Sequence, residues 1–197
     1  MLALSCVVFA GGKSSRMHQD KALLPFGGYS SLTEFQYKRL QNIFQEVYIV
    51  TKTPEKFSFK ASFIKENYNV YAPTAGFVSV FEALNNEHFF VLGVDLPFVD
   101  EDIIKEIYQA DRNDVDATIA QTVSFTESMC GIYHRSLEKT FKKMLQENKH
   151  KLHQTLKEKN TQMVLISEEW RFKNLNTPQE YQKALQLYDI IKKKESL

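Results

Sequence analysis

The sequence predicts an α/β fold with helices on both faces of a mostly parallel sheet, a Rossmann-like three-layer α/β/α sandwich. Two observations support this prediction. Short apolar runs rich in Val, Ile and Phe, typical of strands that are buried on both faces, occur at 4–9, 46–51 and 88–94. Segments with apolar residues at helical spacing separate these runs. Alternation of strand and helix is typical of a parallel sheet.

Composition limits the functional classes. The 197 residues can bury a sizeable core and contain no Pro/Gly/Ser-rich linker or internal repeat, so we expect one domain over 1–197. Twenty-five basic and 24 acidic side chains give a formal charge of +1, which does not indicate a nucleic-acid surface. No secretory signal or window of about 18 apolar residues is present. We expect a soluble cytoplasmic protein without a membrane partner.

Helix-start signals follow several of the strands. Ser31 and Glu34 form a capping box before the first crossover helix. Ser136 is predicted to cap a later helix. The segment 177–180 predicts a helix near the C-terminus, with Thr177 as the N-cap, proline at the first helical position and glutamate at the third.

The remaining strands are predicted at 63–66, 115–120, 129–133 and 162–166. A polar segment, 121–128, is expected to connect two of them and to lie over a substrate. Cys6 and Cys130 lie in apolar surroundings on predicted strands, which favours burial over a disulfide or a metal site.

A glycine-rich loop directly follows the first predicted strand. Gly11 and Gly12 allow backbone N–H groups to approach a phosphate closely, and Arg16 and Lys21 supply positive charge. The spacing matches neither G-x-x-x-x-G-K-[ST] nor G-x-G-x-x-G. Because open α/β sheets bind ligands at the carboxyl ends of their strands, the loop predicts a site for a di- or triphosphate.

A second informative stretch ends in Asp95. The apolar run 88–94 stops at this aspartate, and Leu96-Pro97 breaks the strand. If the strands are parallel and close, the carboxylate lies beside the glycine loop, where an oxygen ligand suits Mg²⁺ bound to substrate phosphates. The alternative is an ordinary turn or N-cap aspartate.

Other polar residues receive no role from the sequence. His134, His150 and His153 have no visible partner at metal-ligand spacing. The lysines at 142–143 and 149–151 are interpreted as the solvated face of an amphipathic helix rather than as a site for an anionic substrate.

Residues 10–25 resemble the A-G-G-x-S-x-R-M-(x)-x-D-K-A-L-L-P signature of nucleotidyltransferases that move a nucleoside monophosphate onto a phosphorylated acceptor. The segments 91–99 and 172–180 extend the similarity, and the chain most resembles the molybdenum cofactor guanylyltransferases. This resemblance implies a nucleotidyltransferase domain with a sheet of the nucleotide-diphospho-sugar transferase type.

The resemblance also implies a reaction and its partners. GMP passes from GTP to molybdopterin or its molybdenum-loaded form, with Mg²⁺ as cofactor, pyrophosphate as by-product and a guanine dinucleotide cofactor as product. The acceptor's phosphate is already ionised near neutral pH, so no general base is needed. Other cofactor-biosynthesis proteins and the receiving molybdoenzymes are further expected partners.

Residue roles follow from the matching positions. Arg16, Lys21 and Asp95 are the catalytic candidates, with Lys21 on the phosphates and Asp95 on the metal. Glu66 stands near a family aspartate that contacts the nucleotide. The remaining nucleotide-site candidates are Phe9, Ala10, Gly11 and Gly12 in the first loop, and Asn174 and Asn176, whose amides are expected to reach the phosphates or the metal's waters.

The chain departs from the family pattern at several positions. Phe9 stands where leucine is usual, and His18 stands where glycine usually follows Arg-Met. Glu127-Ser128 replaces a His-Pro pair, so the contact of that histidine is in doubt. Of the family's G-P-L-x-G segment only Gly76 is kept, so Thr74 and Ala75 receive no role.

Three other functions remain open. The loop also serves cytidylyltransferases and sugar-phosphate nucleotidyltransferases, although the segment 174–180 and the short chain favour the molybdopterin branch. A non-catalytic, GTP-binding cofactor chaperone is the alternative from another class. The presence of both Lys21 and Asp95 argues against it.

Overall fold

The computed structural model describes residues 1–12, 17 and 19–195. The described strands are β1 (Leu2–Phe9), β2 (Phe44–Thr51), β3 (Ser62–Lys65), β4 (His88–Gly93), β5 (Ala117–Gln121), β6 (Thr126–His134) and β7 (Thr161–Leu165). They form one sheet in the order β3-β2-β1-β4-β6-β5-β7. Only β6 runs against its neighbours, β4 and β5. The predicted mostly parallel α/β sheet is confirmed.

Helices cover both faces of this sheet. The described α-helices are α1 (Leu32–Leu40), α2 (Pro73–Ala83), α3 (Glu101–Ala110), α4 (Glu138–Gln146), α5 (Leu152–Lys157) and α6 (Pro178–Glu195). Alternate side chains of β1 enter different cores: Cys6 and Val8 pack with α1, α3 and α6, whereas Val7 and Phe9 pack with α2, α4 and α5. Two cores separated by a sheet make the predicted three layers.

Two predicted capping signals are present. Ser31 Oγ accepts the Glu34 N–H at 3.1 Å at the start of α1. At the start of α6, Thr177 Oγ1 accepts the Glu180 N–H at 3.2 Å while the Glu180 carboxylate accepts the Thr177 N–H at 2.8 Å. This reciprocal pair is a complete capping box.

Two local predictions are wrong. Ser136 does not cap α4: it lies in a 3₁₀ turn, and its hydroxyl donates to Asp116 Oδ1 at 2.6 Å. Because the 3₁₀ turn Arg135–Leu137 precedes α4, Ser136 stands inside that turn and not at the N-cap position of the helix. The connection predicted over 121–128 is shorter, because β5 runs to Gln121 and β6 begins at Thr126, which leaves a turn over 122–125. Its turn is closed by the Thr122 N–H on the Phe125 carbonyl at 2.7 Å, and β6 begins directly afterwards.

Both cysteines are buried, as predicted. Cys6 and Cys130 are unpaired thiols in the core that also holds α1, α3 and α6. Burial raises the pKa of the Cys6 thiol well above its usual range. Among the described residues, no helix is both long enough and apolar enough to cross a lipid bilayer.

Candidate active site

The ends of β1 and β4 bring the two predicted motifs together. These strands are parallel neighbours, and Phe9 pairs with Gly93. Gly11 and Asp95 each stand two positions beyond that pair, and the Val94 N–H donates to the Phe9 carbonyl at 3.1 Å. Because both strands leave the sheet at the same edge, the glycine turn and the carboxylate border one cavity.

Lys21 lies at the centre of this edge. Its Nζ is 2.6 Å from Asp95 Oδ2 and donates to Asn176 Oδ1 at 3.0 Å. The Lys21 and Asp95 side chains are 16% and 19% exposed, so the ion pair faces the cavity rather than being sealed in the core. An ammonium and two oxygens placed in this way can exchange partners with an incoming anion and its counter-cation.

Several contacts hold Lys21 in position. It begins a 3₁₀ turn that is capped by Asp20, whose Oδ1 accepts the Ala22 N–H at 3.0 Å. The other Asp20 oxygen is 2.6 Å from Lys56 Nζ. From α1, Thr33 Oγ1 donates to the Ala22 carbonyl at 2.8 Å. The turn is therefore fixed from both the β2 side and the helix layer.

The segment before α6 places Asn176. The Leu175 N–H donates to the Asp95 carbonyl at 3.2 Å, which fixes this segment against the end of β4. The Glu180 carboxylate accepts the Asn176 N–H at 2.9 Å. The capping box therefore sets the backbone from which the Asn176 amide reaches Lys21.

The cavity beside Lys21 has a volume of about 220 Å³. Gly11 and Glu66 are neighbours in its wall, since a Cβ on Gly11 would lie 3.7 Å from Glu66 Oε2. Its lining comes from the ends of β1 to β4, the start of α2 and one β6 residue: Phe9, Gly11, Gly12, Lys21, Val50, Lys52, Glu66, Tyr71, Ala72, Pro73, Gly93, Val94, Asp95 and Met129.

Glu66 is the most deeply buried carboxylate of this cavity, with 8% of its side chain exposed. Lys52 Nζ is 2.7 Å from Glu66 Oε1, an ion pair without hydrogen-bond alignment at that oxygen. Burial raises the pKa of Glu66 above its ordinary value, and Lys52 offsets only part of that shift. A poorly solvated carboxylate of this kind gains from further N–H donors.

Three glycines shape the site. Gly12 has a φ of 134°, which an L-residue rarely adopts. A Cβ on Gly76 would lie 2.6 Å from Phe9 Cε1, so the glycine kept in α2 makes room for the Phe9 ring. A Cβ on Gly93 would lie 2.8 Å from Asp95 Oδ1. The position of that carboxylate therefore depends on a glycine two residues earlier.

Comparison with known families agrees with this geometry. The model of the MobA-like NTP transferase domain matches residues 6–163, which include the second half of β1, all of β2 to β6, the glycine turn and Asp95. The chain belongs to this family. The match makes the carboxyl edge of the sheet the candidate active site of an NTP transferase domain.

Relatives and solved structures extend the comparison. A molybdenum cofactor guanylyltransferase of Campylobacter jejuni is 37% identical over 182 residues, 91% of this chain and 94% of that protein. One from Helicobacter pylori is 28% identical over 190 residues, 93% and 92% of the two chains. The structure of molybdopterin-guanine dinucleotide biosynthesis protein A from Archaeoglobus fulgidus has a TM-score of 0.81, 19% identity, and coverage of 93% and 98%. That last likeness shows the fold alone.

Of the other residues named from the sequence, two are described and do not line the Lys21 cavity. Arg16 and His18 are outside the described residues. Ala10 is 2% exposed, and its N–H donates to the Val50 carbonyl at 3.1 Å. Asn174 donates from Nδ2 to Glu127 Oε2 at 3.4 Å and lines a neighbouring groove. The NTP transferase domain therefore presents Asn174 and Asn176 on different sides of one segment.

Among the lining residues that sequence reasoning did not name, Lys52 and Gly93 have clear roles. Lys52 neutralises Glu66, and Gly93 makes room for Asp95. Lys52 comes directly after β2, a position like that of Asp95 after β4. The same argument from the end of a buried strand would therefore have predicted Lys52 as a lining residue. The sequence gives no such signal for Gly93, because the need for a glycine there depends on the orientation of the Asp95 side chain.

One histidine has partners that the sequence did not reveal. His134 Nε2 is 3.0 Å from Asp111 Oδ1, and His88 Nδ1 is 3.5 Å from Asp111 Oδ2. Among the described residues, these three form a His/Asp group compact enough to share a metal ion. The group lies at the end of the sheet opposite Asp95, since His88 begins β4 and Gly93 ends it.

Proposed function

We propose that this chain transfers GMP from GTP to molybdopterin, releases pyrophosphate and forms a guanine dinucleotide cofactor. The observation that carries the proposal is the convergence of Lys21 Nζ, the Asp95 carboxylate and the Asn176 amide oxygen beside the glycine turn. The names of the relatives supply the two substrates.

The donor nucleotide occupies the cavity lined by Gly11, Lys21 and Glu66. Lys21 and the backbone of Gly11 and Gly12 bind the triphosphate, and Arg16 adds charge from the same loop. The base lies against Phe9. Guanine presents an N–H and an amino group side by side, and the Glu66 carboxylate can accept both. Its burial favours such donors over water.

The donor atoms near Lys21 fit Mg²⁺. Asp95 supplies a carboxylate and Asn176 an amide oxygen, and both point at one ammonium position. Hard oxygen ligands with room for water and phosphate suit this ion. When bound, Mg²⁺ neutralises charge on the triphosphate. Lys21 then turns from Asp95 to the phosphates.

The transfer needs little covalent chemistry from the protein. An acceptor phosphate oxygen forms a bond to the α-phosphorus of GTP, and the bond from that phosphorus to the β-phosphate's bridging oxygen breaks. The departing electron pair leaves on pyrophosphate, whose charge Lys21 stabilises. Because the acceptor oxygen is already ionised near neutral pH, alignment and charge neutralisation carry the rate.

An assay with GTP, MgCl₂ and molybdopterin tests the proposal. We expect equimolar pyrophosphate and dinucleotide, detected by mass spectrometry, and neither product when Mg²⁺ is chelated. GTP binding without either product would instead support the chaperone alternative. Calorimetric titration with the four nucleoside triphosphates tests base choice, and tight binding of CTP or UTP but not GTP would contradict the donor assignment.

A further inference from the structure

A second recess borders the transfer centre on the β6 side. This groove, here called the Glu127 groove, has a volume of about 530 Å³. Its lining combines aromatic rings with polar side chains from the β5–β6 hairpin and the segment before α6: Phe125, Glu127, Glu169, Trp170, Phe172, Lys173 and Asn174. Apolar walls around a few polar groups are typical of a site for a small heterocycle.

Glu127 is a carboxylate of this groove that is largely removed from water. One oxygen accepts the Met129 N–H at 2.9 Å, and the other accepts the Asn174 amide at 3.4 Å, a long contact. Each carboxylate oxygen has two lone pairs, so both keep capacity for a further donor. Burial and then the nearby Asp95 charge raise the pKa of Glu127. Additional N–H donors would relieve both effects.

The aromatic wall is partly open and partly fixed. Phe125 is 39% exposed and packs edge-on against buried Phe172, with 6.5 Å between the ring centroids. Trp170 packs on Phe98, and the Arg171 guanidinium lies 5.0 Å from the Trp170 ring centroid. Rings held in this way offer a surface on which a planar ligand stacks without much loss of side-chain entropy.

One short segment joins the groove to the transfer centre. Asn174 contacts Glu127, Leu175 donates to the Asp95 carbonyl, and Asn176 contacts Lys21. A ligand held by Glu127 therefore lies next to the phosphates that Lys21 would bind.

We propose that the Glu127 groove binds the pterin ring of the acceptor, with Glu127 accepting hydrogen bonds from the ring's amino group and adjacent N–H. This inference rests on the proposed function. A pterin carries a 2-amino-4-oxopyrimidine edge whose two neighbouring donors match a carboxylate in the way that guanidinium does. The aromatic wall supplies the stacking surface.

The strand order places the proposed donor site and the proposed acceptor site on opposite sides of Lys21 and Asp95. Glu66 follows β3 and Glu127 lies on β6, four strands apart in the order β3-β2-β1-β4-β6. At about 4.8 Å per strand this separates them by about 19 Å, with Lys21 and Asp95 between. The product carries guanine and pterin at opposite ends of a pyrophosphate bridge, so one carboxylate serves each end.

Binding measurements on the full chain test this division. Fluorescence titration with 6-hydroxymethylpterin measures binding at the acceptor site, and calorimetry with GTP measures binding at the donor site. We expect Glu127→Gln to weaken pterin binding about tenfold or more, since one acceptor becomes an amide donor, and to leave GTP affinity unchanged. Glu66→Gln should do the reverse. Glu106→Gln removes an exposed charge on α3 that does not line the groove and is the matched control.

Retained GTP binding shows that a variant is folded. Should Glu127→Gln fail to fold, Phe125→Ala tests the same groove, and we expect it to weaken pterin binding several-fold. Pterin binding unchanged in the testable variant, or weakened equally by Glu106→Gln, overturns the inference. A wild-type chain that transfers GMP to molybdopterin but does not bind 6-hydroxymethylpterin overturns it while leaving the proposed function standing. Pterin binding without transfer contradicts the function alone.

Discussion

The two ends of the central sheet each hold an aspartate beside a basic side chain, in different surroundings. At the carboxyl edge, Asp95 meets Lys21 at 2.6 Å, and the Asp95 side chain is 19% exposed to a cavity. At the opposite edge, Asp111 is 8% exposed and accepts from His134 at 3.0 Å and from Thr118 at 2.6 Å. His88 approaches the same carboxylate at 3.5 Å.

The difference separates a ligand site from a structural contact. Burial alone would raise the pKa of Asp111, but hydrogen bonds from His134, His88 and Thr118 outweigh burial and hold the pKa below its ordinary value. That carboxylate is surrounded by protein donors and ties α3 to β4, β5 and β6. Asp95 faces an opening in which a ligand can replace its partner. A similar pair of charges therefore serves the fold at one end and exchange at the other.

Replacing Asp95 gives the largest expected effect. Asp95→Asn keeps the volume but removes the charge opposite Lys21, so we expect turnover to fall about 10²- to 10³-fold. The free energy of unfolding should change by less than about 1 kcal/mol, because the pair is partly exposed. Pyrophosphate release and urea unfolding measure the two quantities. If Asp95→Asn lost as much stability as Asp111→Asn, the contrast between the two aspartates would be wrong.

Replacing Asp111 should give the opposite pattern. Asp111→Asn leaves two histidines and a hydroxyl around an amide, and we expect it to cost about 3 kcal/mol of stability. Turnover by the folded protein at 25 °C should stay within about twofold of wild type, since the group lies at the far end of β4. Urea unfolding with a parallel pyrophosphate assay provides the check. A large loss of turnover in fully folded protein would contradict the division of roles.

Lowering the pH should have a smaller effect on stability, through the same contacts of Asp111. The folded pKa of Asp111 is depressed, so the unfolded chain binds more protons between the two pKa values. The stability from this carboxylate is therefore fully present above its unfolded pKa of about 3.9 and is lost as pH falls through the lower folded value. We expect the stability gap between wild type and Asp111→Asn to narrow below about pH 4, measured by urea unfolding. A gap that widens in acid would show the opposite sign.

Sequence reasoning located the carboxyl-edge site because its residues follow parallel strands. An apolar run that stops at a glycine pair or at Asp95 marks the strand end, and parallel strands end at one edge. Asn176 was found through the segment before α6. The roles of these residues in GTP and Mg²⁺ binding stay predictions, as does the role of Arg16.

Pairing across antiparallel strands left no such signal. His88 and His134 face each other only because β4 and β6 run in opposite directions, a register that depends on the whole sheet. The same reversal brings Glu127 to the carboxyl edge near the start of its strand. Ser136 was misjudged because its competing acceptor, Asp116, comes from another strand end. Long-range partners of this kind decide side-chain contacts that local patterns cannot specify.

The two contacts of the Asp20 carboxylate affect the energetics of substrate binding. The Asp20 carboxylate caps the 3₁₀ turn that begins at Lys21 and forms an ion pair with Lys56. Thr33 of α1 donates a hydrogen bond to the Ala22 carbonyl. The backbone that carries Lys21 is thus fixed, and Asp95 and Asn176 position its ammonium, before any phosphate arrives. Little of the binding free energy is then consumed in ordering a flexible lysine, and more of it remains for aligning the two reactants.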